Sequence, residues 1–297
     1  MRLDRDIFRR VAHLKLTTPR FAHGPLQGDR RSPRRGRGVE FADYRPYTPG
    51  DDLRLVDWNV YGRLELLLVR LFHEDLNMTA QVVLDASASM AFGQPRKADH
   101  GAEVAACIAL LGLLHQDTVT LSCIGGDGAS SQARGQNSKA LGGMLELLEQ
   151  LEPGGVLDTP RELTAQIRGK RVDRLVFVSD MLQEPEAIEE TLRVMAASSE
   201  GAILIHMLSE EELSPDLSEP QRVTDSETGE ELLIAGGREA MGRYREILEE
   251  WLALVRGRCG KLGIHYVPVS NSEPVEDIVR GMMRRSGVTA STLGGRA

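Results

Sequence analysis

Gln81-Val82-Val83-Leu84-Asp85-Ala86-Ser87-Ala88-Ser89-Met90 is the stretch on which the reading of this chain turns. Its Val/Leu run suits a strand buried on both faces, and Asp85 closes that run. Downstream, Ala102 to Leu114 has the apolar spacing of a covering helix. A strand followed by a helix leaves Asp85, Ser87 and Ser89 in the turn beyond the strand's carboxyl end, where open α/β sheets bind ligands. One carboxylate and two hydroxyls are hard oxygen donors of the kind Mg²⁺ prefers, and alternate spacing in a turn can aim all three at one point.

Outward from this stretch, strand and helix patterns alternate. Strands are expected near 118–124, 174–179, 202–208 and 263–269, and helices near 96–115, 138–151, 160–168, 185–198, 238–257 and 274–285. That order predicts an α/β fold: a doubly wound, mostly parallel sheet with helices on both faces and right-handed crossovers. Arg222 to Ile234 breaks the alternation, because two polar-apolar runs flank Glu227-Thr228-Gly229-Glu230, and it reads as a hairpin insertion near 221–235. Upstream, Ile7, Val11 and Leu14 give Asp4 to Leu16 an amphipathic helical pattern, Thr17 to Gly38 is loop by composition, and the alternate leucines of Leu64 to Phe72 fit a strand. The chain is therefore divided into an amino-terminal extension over 1–37 (helix and basic loop), a segment over 38–78 with a turn and a strand, and the sheet domain over 79–297.

A second apolar run, Arg174-Leu175-Val176-Phe177-Val178-Ser179-Asp180, also ends in an acid. If the two strands are neighbours, about 4.8 Å apart, Asp85 and Asp180 can share one ion directly or through water. Between them lies Gly154-Gly155-Val156-Leu157-Asp158-Thr159-Pro160, a glycine loop leading into a helix. Thr159 suits the N-cap with Pro160 at the first helical position, and its hydroxyl has the alternative of facing the ion.

The chain has 297 residues, 41% apolar and 27% charged, which is ordinary for a globular protein with a sizeable core. The opening Met1-Arg2-Leu3-Asp4-Arg5-Asp6 lacks the apolar stretch of a signal peptide, and no apolar run is long enough for a bilayer, so a cytoplasmic location is expected. Cys107, Cys123 and Cys259 have no paired spacing and read as small buried hydrophobes. The histidines show no metal-ligand spacing and read as incidental. Residues 1–37 carry a net charge of +8 in a chain of net −8. Such asymmetry fits an arm docked on its own acidic body or on a protein partner better than nucleic-acid binding through Arg30, Arg31, Arg34, Arg35 and Arg37, since no aromatic residues interleave the arginines to stack on bases. The oppositely charged Asp51, Asp52, Arg54, Asp57 and Arg63 surround the turn Thr48-Pro49-Gly50-Asp51 and read as a structural network pinning this segment to the domain, with Trp58 as a packing anchor.

Asp85-x-Ser87-x-Ser89, a threonine after a glycine loop, and the aspartate of Phe177-Val178-Ser179-Asp180 resemble the metal-ion-dependent adhesion site of von Willebrand factor A-like domains, over residues 79–285. Upstream, Gly36-x-Gly38-x-Glu40-Phe41-x-Asp43-Tyr44-Arg45-x-Tyr47-x-Pro49-Gly50-Asp51-Asp52-x-Arg54-x-x-Asp57-Trp58, followed by Arg63, resembles the signature of the bacterial domain-of-unknown-function family 58. The resemblance implies a metal-dependent protein-interaction module rather than an enzyme. In it Ser87, Ser89 and Thr159 would bind Mg²⁺, or another divalent ion such as Mn²⁺ or Ca²⁺, and Asp85 and Asp180 would assist directly or through water. A partner's acidic side chain would complete the site, and the expected role is an adaptor or co-chaperone working with a MoxR-type AAA ATPase. The adhesion site's usual Gly-Gly-Thr is Gly154-Gly155-Val156 here, and Thr159 comes three residues later beside Asp158. Thr159 as ligand, Thr159 as helix cap and Asp158 as a substitute ligand therefore all stay open.

The alternative of a Mg²⁺-dependent phosphohydrolase with an aspartate nucleophile wants a second acid two residues on, where this chain has Ser87, too weakly acidic to protonate a leaving group. No P-loop or G-x-S-x-G motif is present.

Overall fold

A computed structural model describes residues 5–14, 40–73, 78–126, 131–167, 171–224, 229, 231–234 and 236–287. The arginine run over 30–37 and the tip of the expected hairpin at 225–228 lie outside the described residues. The chain divides into two compact units, one of Gln27–Asn77 and one of Met1–Leu26 with Met78–Ala297.

The larger unit is built on a six-stranded sheet. Its strands are β3 (Thr79–Asp85), β4 (Thr118–Ile124), β5 (Ser131–Gly135), β6 (Val172–Ser179), β7 (Ser199–Leu208) and β10 (His265–Ser270), in the spatial order β10-β7-β6-β3-β4-β5. All neighbours run parallel except β5, which is antiparallel to β4. The two-residue period of a strand sends successive side chains to opposite faces. Val82, Leu84, Val176, Val178, Ile203, Ile205 and Met207 pack on one face beneath α1 (Arg5–Leu14), α3 (Lys97–Leu114), α4 (Leu141–Glu149) and α9 (Val275–Gly287). Val83, Leu175, Phe177 and Leu204 pack on the other beneath α5 (Thr159–Ile167), α6 (Pro185–Ser198) and α8 (Arg238–Lys261). The fold is thus doubly wound, and each fully buried Leu or Phe of this double core stabilises it by about 1.5–3 kcal/mol. The chain leaves β3 through α3 on one face and β6 through α6 on the other. Since β3 and β6 are adjacent, their carboxyl ends form a topological switch point, the crevice where such sheets bind ligands.

The amphipathic α1 contributes Ile7, Phe8 and Val11 to the first core, and Arg10 pairs with Glu276 of α9 at 2.8 Å. Between α7 (Glu210–Leu213) and α8 an antiparallel hairpin forms from β8 (Gln221–Thr224) and β9 (Glu231–Ile234), as the polar-apolar runs predict. The three cysteines are buried and free, and burial raises the pKa of each thiol. No described helix is long and apolar enough to cross a membrane.

The smaller unit pairs β1 (Glu40–Pro46) with β2 (Leu68–His73) in an antiparallel ribbon, with α2 (Trp58–Leu64) between them in sequence. Leu64 to Phe72 is thus not all strand. Asp57 caps α2, accepting from the N–H groups of Asn59 and Val60, and this helix takes Leu64 before the chain straightens at Leu68. Trp58 is exposed rather than a packing anchor, with its ring set edge-on to Tyr61. Within this unit Arg45 grips Asp51 with two N–H groups at 2.6 Å each, and Tyr44 donates to Asp57 at 2.7 Å.

Candidate metal centre

Leu84 of β3 pairs with Val178 of β6, so Asp85 and Ser179 emerge side by side at the ends of the two central strands. Asp85 is buried, and both its oxygens are held. Oδ1 accepts from the Ser87 N–H at 2.8 Å, and Oδ2 accepts from the Ser179 hydroxyl at 2.7 Å. The first of these bonds is an Asx turn, which bends the chain so that Ser87 and Ser89, both buried, bring their hydroxyl oxygens within 3.0 Å of each other. The loop is fixed by its backbone: the Ala86 N–H donates to the Ile124 carbonyl, the Gly154 N–H to the Ala86 carbonyl, and the Ala88 N–H to the Gly155 carbonyl. Gly125, at φ +82°, lies so close that a Cβ there would stand 3.1 Å from the Ser87 nitrogen.

Asp180 follows one residue beyond Ser179 and is buried as well. Its Oδ1 accepts from the Leu182 N–H at 3.1 Å, while the next residue, Met181, holds a left-handed φ of +53°. A non-glycine residue in that conformation costs about 1 kcal/mol or more, and such strain gathers at functional loops. The other oxygen of Asp180 accepts from the ammonium of Lys97 at 2.8 Å. Lys97 is fully buried at the start of α3 and also donates to Glu212 Oε1 at 2.5 Å. Glu212 is aimed by a capping box on α7, in which its Oε2 accepts from the Ser209 N–H and its own N–H donates to the Ser209 hydroxyl.

The electrostatics follow from burial and from these neighbours. Desolvation, and then the charge of Asp180, push the Asp85 carboxyl up to about 6, against the hydrogen bonds from Ser179 and Ser87 that pull it down. Burial also pushes the Lys97 ammonium down, but the Asp180 and Glu212 carboxylates more than offset this and its pKa ends above the usual lysine value. Beneath the site, His206 is buried and brought down to about 4 by desolvation, so it is neutral at pH 7. Its Nε2 lies 2.8 Å from the Asp180 carbonyl, which can only accept, so Nε2 carries the proton and Nδ1 accepts from the Tyr266 hydroxyl.

Asp85, Ser87, Ser89 and Asp180 are thus gathered at one switch point. Thr159 is the first residue of α5 rather than its cap. The exposed Asp158 takes the cap position, its Oδ1 facing the Arg161 N–H at 3.4 Å. The Thr159 hydroxyl is buried and accepts from Gln183 Nε2 at 2.5 Å, three residues along the loop from Asp180, and Gln183 Oε1 is buried without a hydrogen-bond partner.

The donor set suits a hard divalent cation. Adjacent ligands of an octahedral Mg²⁺ at about 2.1 Å lie about 3.0 Å apart, the spacing of the Ser87 and Ser89 oxygens. Hydroxyls outnumber acids here, and among the described residues no group of three or more His, Cys, Asp or Glu side chains is placed to hold a metal. An ion in this site would rest on Asp85 and the serine hydroxyls, with Asp180 already bonded to a lysine.

Sequence reasoning missed Lys97, Ser179, Gln183, Glu212 and His206. One signal was available for Lys97. A cation in the first turn of a helix opposes the macrodipole, which is tolerable when a buried carboxylate faces it.

Residues 43–248 match the family described as protein of unknown function DUF58. A 100-residue stretch, 33% of this chain, is 37% identical to an uncharacterized protein of Mycobacterium bovis and equally to uncharacterized proteins of two Mycobacterium tuberculosis strains. The chain spans about a third (32%) of the length of these curated relatives. Among solved structures it is similar to BatB, a conserved hypothetical protein from Bacteroides thetaiotaomicron, with 16% identity and a TM-score of 0.39 over 70% of this chain and 98% of that one. It is likewise similar to an aerotolerance-related membrane protein from Bacteroides fragilis, with 15% identity and a TM-score of 0.39 over 70% of this chain and 99% of that one.

Proposed function

The chain belongs to the DUF58 family of proteins of unknown function, and from its sheet-end site we propose that it is a non-enzymatic, metal-dependent protein-interaction module with a von Willebrand factor A-like domain. The observation that carries this reading is the Ser87–Ser89 hydroxyl pair, 3.0 Å apart beside the buried Asp85. Asp85, Ser87 and Ser89 would hold Mg²⁺, or Mn²⁺ or Ca²⁺ in its place, with Asp180 assisting and Thr159 joining them. An ion held by one carboxylate and neutral hydroxyls keeps positive charge, and an acidic partner side chain is the natural group to meet it.

A protein partner is favoured over a small solute by what surrounds the site. Phe92, Val156 and Leu182 are 51%, 71% and 43% exposed, and each sits on a loop bonded to the site: the Phe92 N–H donates to the Ser89 carbonyl, Val156 follows Gly155, and the Leu182 N–H donates to Asp180. An apolar rim around a polar centre is the usual anatomy of a protein-binding patch turned inside out, with the rim excluding water from the central contact. The further step, an adaptor or co-chaperone for a MoxR-type AAA ATPase, is supported by the resemblance of the upstream signature alone, and a cytoplasmic location by the sequence expectation alone.

The test is capture by immobilised wild type and Asp85→Ala, each in Mg²⁺ or in chelator, of a purified MoxR-type ATPase and of native lysate. Retention by metal-loaded wild type alone is the expected result. Equal capture in all four conditions would reduce the aspartate and serines to structure.

A further inference from the structure

A buried lysine where a cation site is expected calls for explanation. Lys97 is fully buried, and its ammonium lies 2.8 Å from Asp180 Oδ2 and 2.5 Å from Glu212 Oε1. Stability alone does not account for the arrangement, because a buried ion pair recovers little more than the cost of desolvating its charges, and apolar side chains of the same volume do as well or better. Nor does helix α3 favour it, since Lys97 is the first residue of that helix and stands at the positive end of its dipole. Glu212 is held to its task by a capping box, so both carboxylates facing the ammonium are positioned independently of it.

We propose that Lys97 is a built-in cation of the sheet-end site, which weakens its hold on a divalent ion and keeps the loaded site positive toward an anionic partner group. This inference rests on the metal reading above. The argument is one of charge. Were Asp180 free, two carboxylates would cancel a divalent ion, leaving nothing for a partner to neutralise. With Lys97 bonded to Asp180, that carboxylate is already paired, and the ion faces Asp85 and two neutral hydroxyls. Among the ion, Asp85, Asp180 and Lys97 one positive charge then remains for the incoming group, and Glu212, which bonds the lysine, offsets part of it. The lysine also repels the ion directly, since two like charges several ångströms apart in a poorly solvated site interact strongly. Specificity for an acidic side chain is thereby gained at some loss of metal affinity. Glu212 has a second part in this arrangement, because it keeps the ammonium charged and in place when an ion competes for Asp180.

The test is calorimetric titration of full-length protein with Mn²⁺ at pH 7.5, on wild type, Lys97→Met, Lys97→Arg and the double variant Lys97→Met/Glu212→Gln, with Asp85→Ala introduced into each background. Circular dichroism and thermal melting establish that each is folded. Lys97→Met alone leaves the buried Asp180 and the partly buried Glu212 without their cation and is the variant at risk of unfolding, whereas the double variant removes one charge of each sign and keeps the inference testable. The expected result is Mn²⁺ binding at least about tenfold tighter in Lys97→Met, tighter to a smaller degree in the double variant, near wild type in Lys97→Arg, and lost on Asp85→Ala throughout. A purely structural lysine would not give tighter binding when removed. Binding that depends on Asp85 but is equal or weaker in both lysine-free variants overturns this inference and leaves the metal site standing. Absence of Asp85-dependent binding in all four backgrounds overturns the metal reading, and this inference with it. Binding seen in the lysine-free variants and not in wild type supports the lysine's role in its strongest form.

Discussion

Two pairs of aspartates, Asp51 with Asp57 and Asp85 with Asp180, are managed in opposite ways. In the ribbon unit Asp51 is gripped by both arms of Arg45 and by the N–H and hydroxyl of Thr48, and Asp57 accepts from Tyr44 and caps α2. Hydrogen bonds from Arg45 hold the Asp51 carboxyl well below its usual range, and those from Tyr44 hold Asp57 low in the same way. At the end of the sheet Asp85 is buried among hydroxyls and pushed up to about 6. Its neighbour Asp180 is bonded to a lysine that must also serve Glu212. What separates a brace from a binding site is whether each carboxylate has a counter-group of its own, and whether its ionised form is favoured before any ligand arrives.

The largest expected effect sets the two regions furthest apart. Asp85→Ala removes the carboxylate that adjoins the serine pair through an Asx turn, and Mn²⁺ affinity measured by calorimetry is expected to fall at least about 100-fold. Asp51→Ala should leave the same titration unchanged, and a loss there would break the comparison. Next in size is the stability of Lys97→Met. Stripping the cation from two positioned carboxylates in a buried site should lower metal-free stability by about 3–5 kcal/mol in urea unfolding.

A smaller effect has the opposite sign. Because the folded state raises Asp85 from 3.8 to about 6, the folded protein binds a proton there that the unfolded chain has already lost. That contribution to stability is complete below pH 3.8 and is lost as pH rises through 6, so at neutral pH the ionised, metal-free side chain is a burden. Asp85→Asn should therefore stabilise the metal-free protein by about 1–3 kcal/mol at pH 7.5, with the gain vanishing below about pH 4. His206, lowered from 6.5 to about 4, loses stability as pH falls through that window, but it does so equally in both proteins and cancels from their difference. Mutants equally stable at every pH would mean that Asp85 is not strained by burial.

Much of this was legible because apolar runs are unambiguous when they are buried on both faces. Thr118–Ile124 forms the strand its pattern predicts, and Val172–Ser179 delivers Asp180 beside Asp85 as two adjacent strand ends require. Ser131-Gln132-Ala133-Arg134-Gly135 offers no such pattern. It is an exposed edge strand whose conformation is set by its pairing with β4, a long-range bond that composition does not record. The partners of the site were hidden for the same reason. Lys97 and His206 lie 83 and 26 residues from Asp180 in sequence, and Glu212, 32 residues away, reaches it only through Lys97; the order of the strands brings them together. Thr159 was placed one position too far from the helix, since Asp and Thr are both N-cap residues and the packed structure uses Asp158.

The smallest expected effect belongs to the ribbon, and it asks whether that unit is only a brace. Arg45 and Asp51 are partly exposed, so solvent and salt screen their attraction. What Asp51 does hold locally is the turn, where the Thr48 N–H donates to its carboxylate at 2.8 Å and the Asp51 N–H donates back to the Thr48 carbonyl at 3.0 Å. In Asp51→Ala the first of these bonds disappears while the backbone bond can persist. Amide exchange at Thr48 should accelerate by up to about tenfold, exchange in β3 and β6 should stay at its wild-type rate, and the melting temperature should change by less than about 3 °C. The carboxyl's lowered pKa fixes the direction of the pH dependence: protection of Thr48 in wild type is present above the ordinary aspartate pKa of 3.8 and is lost as pH falls through the depressed folded value. If faster exchange instead reached the β3 and β6 amides, the ribbon's charges would be supporting the sheet-end site, and the division between brace and binding site would have to be redrawn.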